Sequence, residues 1–391
     1  MPHVISRPGV VHGTTMAVFL ALVHAVNDFV TASIGALLPT LQARFAASTT
    51  TLAILVAVYS VSSSATQPFL GALADRWGLR RVAGAGVALA AAALSLLGVA
   101  SSIWLLVALL LLGGIGSAAL HPVATAIVGG ATSKNPSLAV GLFTAGGMVG
   151  FGIGPVLILY LVSRHGTDIT PWLMLPGLAL AVGIMTLLPE WEPHSRPRLT
   201  RLIDRRSFGR TIRPLTAATV LISLAFITFT SAVPLWLVEE HQLSTDDALL
   251  GWLLGVFAAA AAVGAVAGGA IGARLGYATT TFTSLILAMP AMVAVLVLPP
   301  GAAMLTAAAV AGVLLYASQP LLVVAAQNAV PDAPAAAAGV VLGVSNAIAG
   351  VLYIAVGALQ GILGLTPAML LAFALVIPAA LLARNALRST D

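Results

Sequence analysis

Residues 71–78 read GALADRWG, and residues 269–276 read GAIGARLG, 198 positions further along the chain. The same offset places His121 and the proline after it on Gln319 and the proline after that. Chance glycine matches are frequent in a glycine-rich chain, but glycine, arginine and proline matched at one unchanging offset indicate an internal duplication. The offset also aligns Pro136 with Pro334, Gly141 with Gly339 and Gly152 with Gly350.

The composition is that of a membrane protein. Apolar residues make up 60% of the 391 positions and charged residues only 7%, whereas soluble domains carry about 25% charged residues. A spanning helix needs about 20 residues, because its backbone polar groups must be paired within the segment. Hydropathy predicts an all-α membrane protein with twelve transmembrane helices, at 16–39, 51–73, 82–100, 103–128, 138–162, 171–189, 214–238, 247–271, 279–298, 302–328, 335–360 and 366–384.

Six of these helices fall in each of two pseudo-repeats. We expect an N-terminal six-helix half at 1–193, a cytoplasmic basic linker at 194–212 and a C-terminal six-helix half at 213–391. The linker is rich in arginine and proline and is too short to bury a core of its own. A solvated segment attracted to anionic lipid headgroups is the favoured interpretation, and a regulatory site is the alternative.

Lysine and arginine indicate the orientation of the chain. With both termini in the cytoplasm, fifteen of the seventeen basic residues fall in cytoplasmic loops and tails, and only Arg44 and Arg164 fall outside. This asymmetry follows the positive-inside rule and supports the count of twelve spans. The sequence therefore predicts a multi-pass protein of the bacterial plasma (inner) membrane.

Several kinds of site are excluded or disfavoured. The chain contains no cysteine, so disulfides, thiolate metal sites and cysteine nucleophiles are absent. Basic residues are not gathered on a soluble domain, and no nucleic-acid partner is expected. No HExxH or GxSxG pattern is present, so we expect no enzyme, no cofactor and no metal. The expected partners are a small-molecule substrate, protons and membrane lipids, and we expect a monomer.

The stretch that begins at Gly71 resembles the signature between the second and third helices of the major facilitator superfamily. This resemblance covers essentially the whole chain and implies that fold, with transport by alternating access between two halves. It also implies gating: the acidic and basic residues of this loop hold the cytoplasmic ends of neighbouring helices together in one state. The alternative is that the arginines only fix topology. The gating residues so implied are Gly71, Asp75, Arg76, Gly78, Arg80 and Arg81.

Residues 141–155, GLFTAGGMVGFGIGP, resemble the glycine-rich fifth helix of exporters in the superfamily. Gly146, Gly150 and Gly154 are spaced by four, which gives one helix face without side chains and lets another helix approach closely. Pro155 follows and interrupts the backbone hydrogen bonding. A hinge in the fifth helix is one interpretation, and ordinary close packing is the other.

Ionisable groups deep in the hydrocarbon are rare and need a reason. Only His24, Asp28 and His121 qualify, and His24 and Asp28 lie four residues apart on one face of the first helix. Desolvation disfavours a charged Asp28 carboxylate, whereas a protonated His24 favours it. Such a coupled pair can load and release a proton, so we expect proton coupling at Asp28 and His24. A static hydrogen-bonded pair is the alternative.

The superfamily arrangement places the first, fourth, seventh and tenth helices around a central cavity. By this resemblance, and from the polar and aromatic residues of the spans, the expected substrate cavity includes Asn27, Thr31, Tyr59, Gln67, His121, Phe143, Phe226, Gln319 and Asn346. The repeat is asymmetric here, because His24 and Asp28 correspond to Ile222 and Phe226. Proton chemistry is therefore expected in the first half.

A narrower resemblance rests on HAVND at 24–28 and on GIGSAALHP at 114–122, which are similar to the fosmidomycin-resistance group. It implies a secondary active transporter for proton-coupled efflux of a small drug-like or metabolite substrate. Proton-coupled uptake of a small metabolite is the alternative. Fosmidomycin is an anionic phosphonate, and no lysine or arginine lies deep in any span to receive it. A membrane-embedded metalloenzyme and a transport-inactive scaffold are weaker alternatives.

Overall fold

The computed structural model describes residues 14–131, 136–188, 212–330 and 334–388, and all regular structure in these ranges is helical. The first half contains α1 Thr14–Thr31, α2 Ser33–Phe45, α3 Thr49–Ala65, α4 Gln67–Trp77, α5 Leu79–Ser95, α6 Ile103–Ala131, α7 Pro136–His165 and α8 Met174–Leu187. The second half contains α9 Ile212–His241, α10 Ala248–Leu275, α11 Tyr277–Val297, α12 Ala302–Tyr316, α13 Gln319–Ala329, α14 Pro334–Gly339, α15 Ser345–Leu363, α16 Leu365–Ala374 and α17 Val376–Arg388.

Twelve helical stretches are long and apolar enough to cross a membrane, which confirms the predicted count. They are Thr15–Phe45, Thr49–Ala74, Leu79–Val99, Ile103–His121, Phe143–His165, Thr167–Leu187, Ile212–His241, Ala248–Leu275, Tyr277–Val297, Ala302–Ala329, Ala337–Leu363 and Leu365–Arg388. The cytoplasmic location of both termini stays a prediction.

The first span is longer than its hydropathy indicates. Its expected end was Pro39, but Pro39 lies buried inside α2, and the helix continues to Phe45 before Ala46 takes a left-handed conformation with φ 46°. The break between α1 and α2 lies instead at Ala32. Proline is tolerated inside membrane helices because neighbouring helices support the interrupted backbone.

Left-handed glycines recur at the offset found in the sequence. Gly78 has φ +96° and Gly276 has φ +84°, each directly before the third helix of its half. Gly166 has φ +71° and Gly364 has φ +90°, each directly before the sixth span. Glycine adopts this region without a steric penalty. Matched backbone turns 198 residues apart support the two-half organisation, whose boundaries at 193 and 213 remain a prediction.

The two halves meet closely on one side of the molecule, the distal side, where the loops after Phe45 and His241 lie. The Gln42 side-chain amide donates a hydrogen bond to Glu239 Oε1 at 2.6 Å. Thr49 donates to the Gly357 carbonyl oxygen at 2.8 Å. Nearer the middle, a Cβ on Gly35 would lie only 2.5 Å from the Thr230 carbonyl oxygen. These contacts hold the halves together on the distal side.

The glycine face of the fifth span packs on the backbone of α1. A Cβ on Gly146 would meet the carbonyl of Ala21, and a Cβ on Gly150 would meet that of Ala25. A Cβ on Gly154 would lie 2.8 Å from the Phe29 carbonyl oxygen. Helix α7 is continuous through Pro155. The glycines therefore serve close packing in this structure, and a hinge role stays a prediction.

Gly150→Ala should lower the free energy of unfolding by about 1–3 kcal/mol, because the added methyl group forces α1 and α7 apart. The measurement is the midpoint of thermal unfolding of the purified protein in detergent. Gly269→Ala is the matched control, since a Cβ at Gly269 meets nothing within 4 Å. Equal midpoints for Gly150→Ala and the parent protein would contradict the close packing.

Candidate functional site

The centre of the site is the pair formed by His24 and Asp28 on α1. Four residues on one helix bring the two side chains to the same face, and His24 Nε2 lies 3.2 Å from Asp28 Oδ2. His24 is only 6% exposed, whereas the Asp28 side chain is 20% exposed. The acid therefore has access to the interior space that the histidine lacks.

The geometry indicates how many protons this pair holds. His24 Nδ1 lies 2.8 Å from the Phe143 carbonyl oxygen, and a carbonyl oxygen only accepts, so Nδ1 carries a proton. A neutral imidazole would then direct the Nε2 lone pair at the Asp28 carboxylate. Two acceptor atoms 3.2 Å apart repel each other. The contact does not have the alignment of a hydrogen bond. The arrangement is stable with one shared proton on His24 or Asp28.

Two more side chains from other helices close around His24. The His121 ring on α6 makes an edge contact with the His24 ring, with centroids 4.9 Å apart. The Phe143 ring on α7 stacks on a face of the His24 ring, with centroids 4.2 Å apart. His121 Nδ1 donates to the Ser117 carbonyl oxygen at 3.1 Å. The first, fourth and fifth spans thus converge on one histidine.

Asn27 connects the pair to the interior of the protein. Its Nδ2 group donates to Asp28 Oδ1 at 3.0 Å and to Ser117 Oγ at 2.9 Å. Thr31 donates to the Asn27 carbonyl oxygen at 3.0 Å, and its hydroxyl lies 2.9 Å from the Tyr59 hydroxyl. Side-chain hydrogen bonds therefore link Asp28 through the Asn27 amide to Ser117, and a separate pair of bonds links the Asn27 backbone carbonyl through Thr31 to Tyr59.

A cavity of about 200 Å³ begins at Thr31 and Tyr59 and is lined by both halves. Of the predicted cavity residues, Thr31, Tyr59, Phe226 and Asn346 line it. Asn27, His121 and Phe143 instead surround His24 and Asp28. Gln67, at the start of α4, donates across the helix break to the Ser63 carbonyl of α3, and Gln319 Oε1 is buried without a partner among the described residues.

Sequence reasoning missed several residues of the site. A Cβ on Gly147 would lie 2.5 Å from His24 Cε1 and 2.7 Å from Asp28 Oδ2, so only glycine leaves room for the pair. Ser223 donates to Asn346 Oδ1 at 2.7 Å in the cavity. The position of Ser117, four residues before His121, was a signal that could have identified it. Gly147 carried no such signal, because it lies outside the regular glycine spacing.

The expected gating loop lies away from this cavity. Gly78 carries the left-handed turn between α4 and α5. Arg76 and Arg81 are exposed, and Gly71 and Arg80 are partly buried. The side chain of Asp75 lies outside the described residues. The gating assignment stays a prediction.

The same cluster has donor atoms that suit a divalent cation. One ligand atom each from His24, Asp28 and His121 can be chosen so that all lie within 4.8 Å of one another. Ligands of a tetrahedral zinc ion lie about 2.0–2.2 Å from the metal and hence closer to each other than this. The side chains would have to move inward to hold an ion. The expectation of no metal stays a prediction.

Residues 20–358 match the Major Facilitator Superfamily. The chain belongs to this superfamily. Its members are transporters and not enzymes, so the predicted family and the absence of an enzyme are confirmed, as is the multi-pass location in the inner membrane. The resemblance to the fosmidomycin-resistance group is also confirmed by the relatives described next.

Among curated relatives, the Fosmidomycin resistance protein of Escherichia coli (strain K12) is 26% identical over 269 residues. That match covers 66% of this chain and 64% of the relative, just under two thirds of the relative's length. Multidrug resistance protein 1 of Bacillus subtilis (strain 168) is 25% identical over 215 residues, covering 54% of this chain and 55% of that protein.

Solved structures of the superfamily share the fold over nearly the whole chain. A bacterial homolog of the human lysosomal transporter Spinster, inward-facing and occupied, superposes with a TM-score of 0.79 at 17% identity, covering 95% of this chain and 96% of that one. The nucleoside transporter NupG gives 0.76 at 13% identity, covering 95% and 99%. At these identities the likeness shows the fold alone.

Gly147→Ala should separate His24 from Asp28, because the new methyl group would overlap both side chains. The measurement is infrared difference spectroscopy of the purified protein across a pH series, which follows the carboxyl stretch of a buried acid. The band assigned to Asp28 by its loss in Asp28→Asn should change its titration in Gly147→Ala. Gly269→Ala should leave it as in the parent protein. An unchanged titration in Gly147→Ala would contradict the contact.

Proposed function

We propose that the protein is a secondary active transporter that works by alternating access and uses the proton gradient to export a small molecule. The observation that carries this proposal is the close pair of His24 and Asp28 beside a cavity that both halves line. An ionisable pair at membrane depth is a hallmark of proton relays. A cavity between two repeats is where alternating access exposes a substrate to each side in turn.

In this proposal Asp28 carries the coupling proton and His24 tunes it. Protonation of Asp28 removes the negative charge that His24 and the Asn27 amide face. The Asn27 Nδ2 group then loses a charge-assisted hydrogen bond. Thr31 bonds to the Asn27 backbone carbonyl and to Tyr59, so a movement of this turn of α1 that accompanies the lost bond moves two side chains of the cavity wall. Proton binding and cavity shape are thereby coupled.

Alternating access requires that the two sides of the protein open in turn. The distal contacts Gln42–Glu239 and Thr49–Gly357 must break when the cavity opens to that side. On the opposite side we propose that Asp75 and Arg76, together with Arg80, Arg81, Gly71 of α4 and the turn at Gly78, fasten the helix ends. An arginine favours carbonyl ends of helices and carboxylates, which suits this role. The partners in transport are protons, the small-molecule substrate and surrounding lipids, and one chain is the working unit.

The names of the relatives favour export as the direction of transport. The names of the two relatives described above refer to resistance to fosmidomycin and to multiple drugs. Resistance through a membrane transporter requires that the compound leave the cell. Uptake of a small metabolite is the outcome that would replace this direction.

Expression of the protein in an efflux-deficient bacterial host should lower the cellular accumulation of at least one compound of a drug and metabolite panel. Accumulation is measured with radiolabelled compounds, and Asp28→Asn expressed at the same level is the control that should not lower it. A rise in accumulation with the parent protein would reverse the proposed direction while leaving transport intact.

Asp28→Asn keeps the shape and hydrogen bonding of the side chain but cannot ionise. It should abolish accumulation driven by an imposed pH gradient in reconstituted vesicles, while substrate exchange at equilibrium continues. His24→Gln should instead shift the pH optimum, because it removes a titrating neighbour and not the proton carrier. Asp168→Asn is the matched control, since Asp168 is exposed in the short 3₁₀ helix that begins the sixth span. Gradient-driven accumulation by Asp28→Asn equal to that of the parent would show that the proton travels elsewhere.

A further inference from the structure

The cavity beside Thr31 and Tyr59 has a wall that is partly polar and mostly apolar in area and carries no charge. Among the described residues that line it, ten have hydroxyl or amide side chains, and none is aspartate, glutamate, lysine, arginine or histidine. Asp28 lies near the cavity but is not part of its wall. A charged group placed here would have no opposite charge in the wall itself, and burial of an unpaired charge is strongly unfavourable.

The hydrogen bonds already made within the wall determine which donor and acceptor groups a ligand needs. The Ser63, Ser223 and Thr230 hydroxyls already donate to acceptors of the protein. A hydroxyl whose proton is already donated in a hydrogen bond can only accept further hydrogen bonds, through its lone pairs. The Asn346 amide is the contrasting group, because its Oδ1 accepts from Ser223 and its Nδ2 protons remain to donate. The wall therefore presents hydroxyl acceptors together with the Asn346 amide donor, which suits a ligand that carries both donors and acceptors.

Aromatic rings from both halves form the apolar part of the wall. Phe226 lies at the centre, with the Tyr316 ring at 5.1 Å and the Phe151 ring at 6.0 Å between centroids. The three rings are mutually tilted, at 57° for Tyr316 and 39° for Phe151. Tilted rings around a small space accommodate a planar or aliphatic ring by edge and face contacts.

We propose that the substrate is a small, uncharged molecule with one ring and several hydroxyl or amide donors, and that anionic phosphonates are excluded. This inference rests on the proposed transport function and specifies its substrate. The ring packs on Phe226, the donors meet the serine and threonine oxygens, and a carbonyl or hydroxyl oxygen accepts from Asn346. The substrate and the coupling proton then occupy adjacent sites and do not compete for the same atoms.

Three ligands that differ only in charge provide the test. Phenyl β-D-glucoside is neutral, phenyl β-D-glucuronide is anionic, and the 6-amino-6-deoxy glucoside is cationic at neutral pH. Isothermal titration calorimetry on the purified full-length protein should give a dissociation constant for the neutral ligand at least about tenfold lower than for either charged one. Equal or tighter binding of a charged analogue, or binding of none of the three, would overturn the proposal.

A carboxylate introduced into the wall should change this preference. Asn346→Asp should improve binding of the amino analogue by about tenfold or more relative to the neutral glucoside, since a buried charge then has a partner. Asn385→Asp is the matched control, because Asn385 is exposed on α17 outside the cavity. An unchanged preference in Asn346→Asp would show that the ligand does not reach this wall.

Resistance measurements separate this inference from the transport proposal. Expression should leave the susceptibility of an efflux-deficient host to fosmidomycin unchanged while it lowers accumulation of a neutral compound. Raised fosmidomycin resistance would overturn the neutral-substrate inference and leave transport standing. If the neutral glucoside binds but Asp28→Asn accumulates substrate as well as the parent does, the proposed proton coupling falls and the neutral-substrate inference stands. The two results are independent because calorimetry requires no proton coupling.

Discussion

The rest of the site depends on the contact between the glycine face of α7 and the backbone of α1. Without side chains at Gly146, Gly150 and Gly154, the two helices approach until carbonyl groups meet Cα atoms. This approach brings the Phe143 carbonyl within reach of His24 Nδ1, and Gly147 leaves space for the pair. A larger separation would leave a buried imidazole N–H without an acceptor, which costs about 1–3 kcal/mol.

The proton on His24 Nδ1 affects how Asp28 is protonated. The remaining nitrogen of His24 lies 3.2 Å from Asp28, so the protonation states of the two groups are linked, and the Asn27 amide adds a donor to the same carboxylate. Linked groups titrate as a unit, with proton affinities that belong to the pair. The proton site that we propose therefore lies near the cavity in which we propose that the substrate binds, and the two share no ligand atom.

Much of the fold could be predicted, because its signals are local. Twelve spans follow from hydropathy, and the turns at Gly78 and Gly276 follow from a motif that needs a left-handed residue. The pairing of His24 with Asp28 follows from helix periodicity alone. Which residues line the cavity was harder to predict, because it depends on the rotation and tilt of each helix against its neighbours. Gln67 and Gln319 are polar residues of the correct spans, yet neither faces the cavity that Thr31 and Tyr59 line.

The asymmetry of the repeat explains how one duplicated scaffold supports two tasks. The offset of 198 places Asp28 on Phe226 and His24 on Ile222. Phe226 forms the centre of the aromatic wall, and Ile222 is fully buried in the core of the second half. If both halves had kept the acid, two carboxylates would lie close together in a region of low dielectric constant and repel one another. With the charge confined to one half, the equivalent position in the other half is an apolar surface of the cavity, so in the function that we propose the duplicated positions divide proton binding from substrate binding.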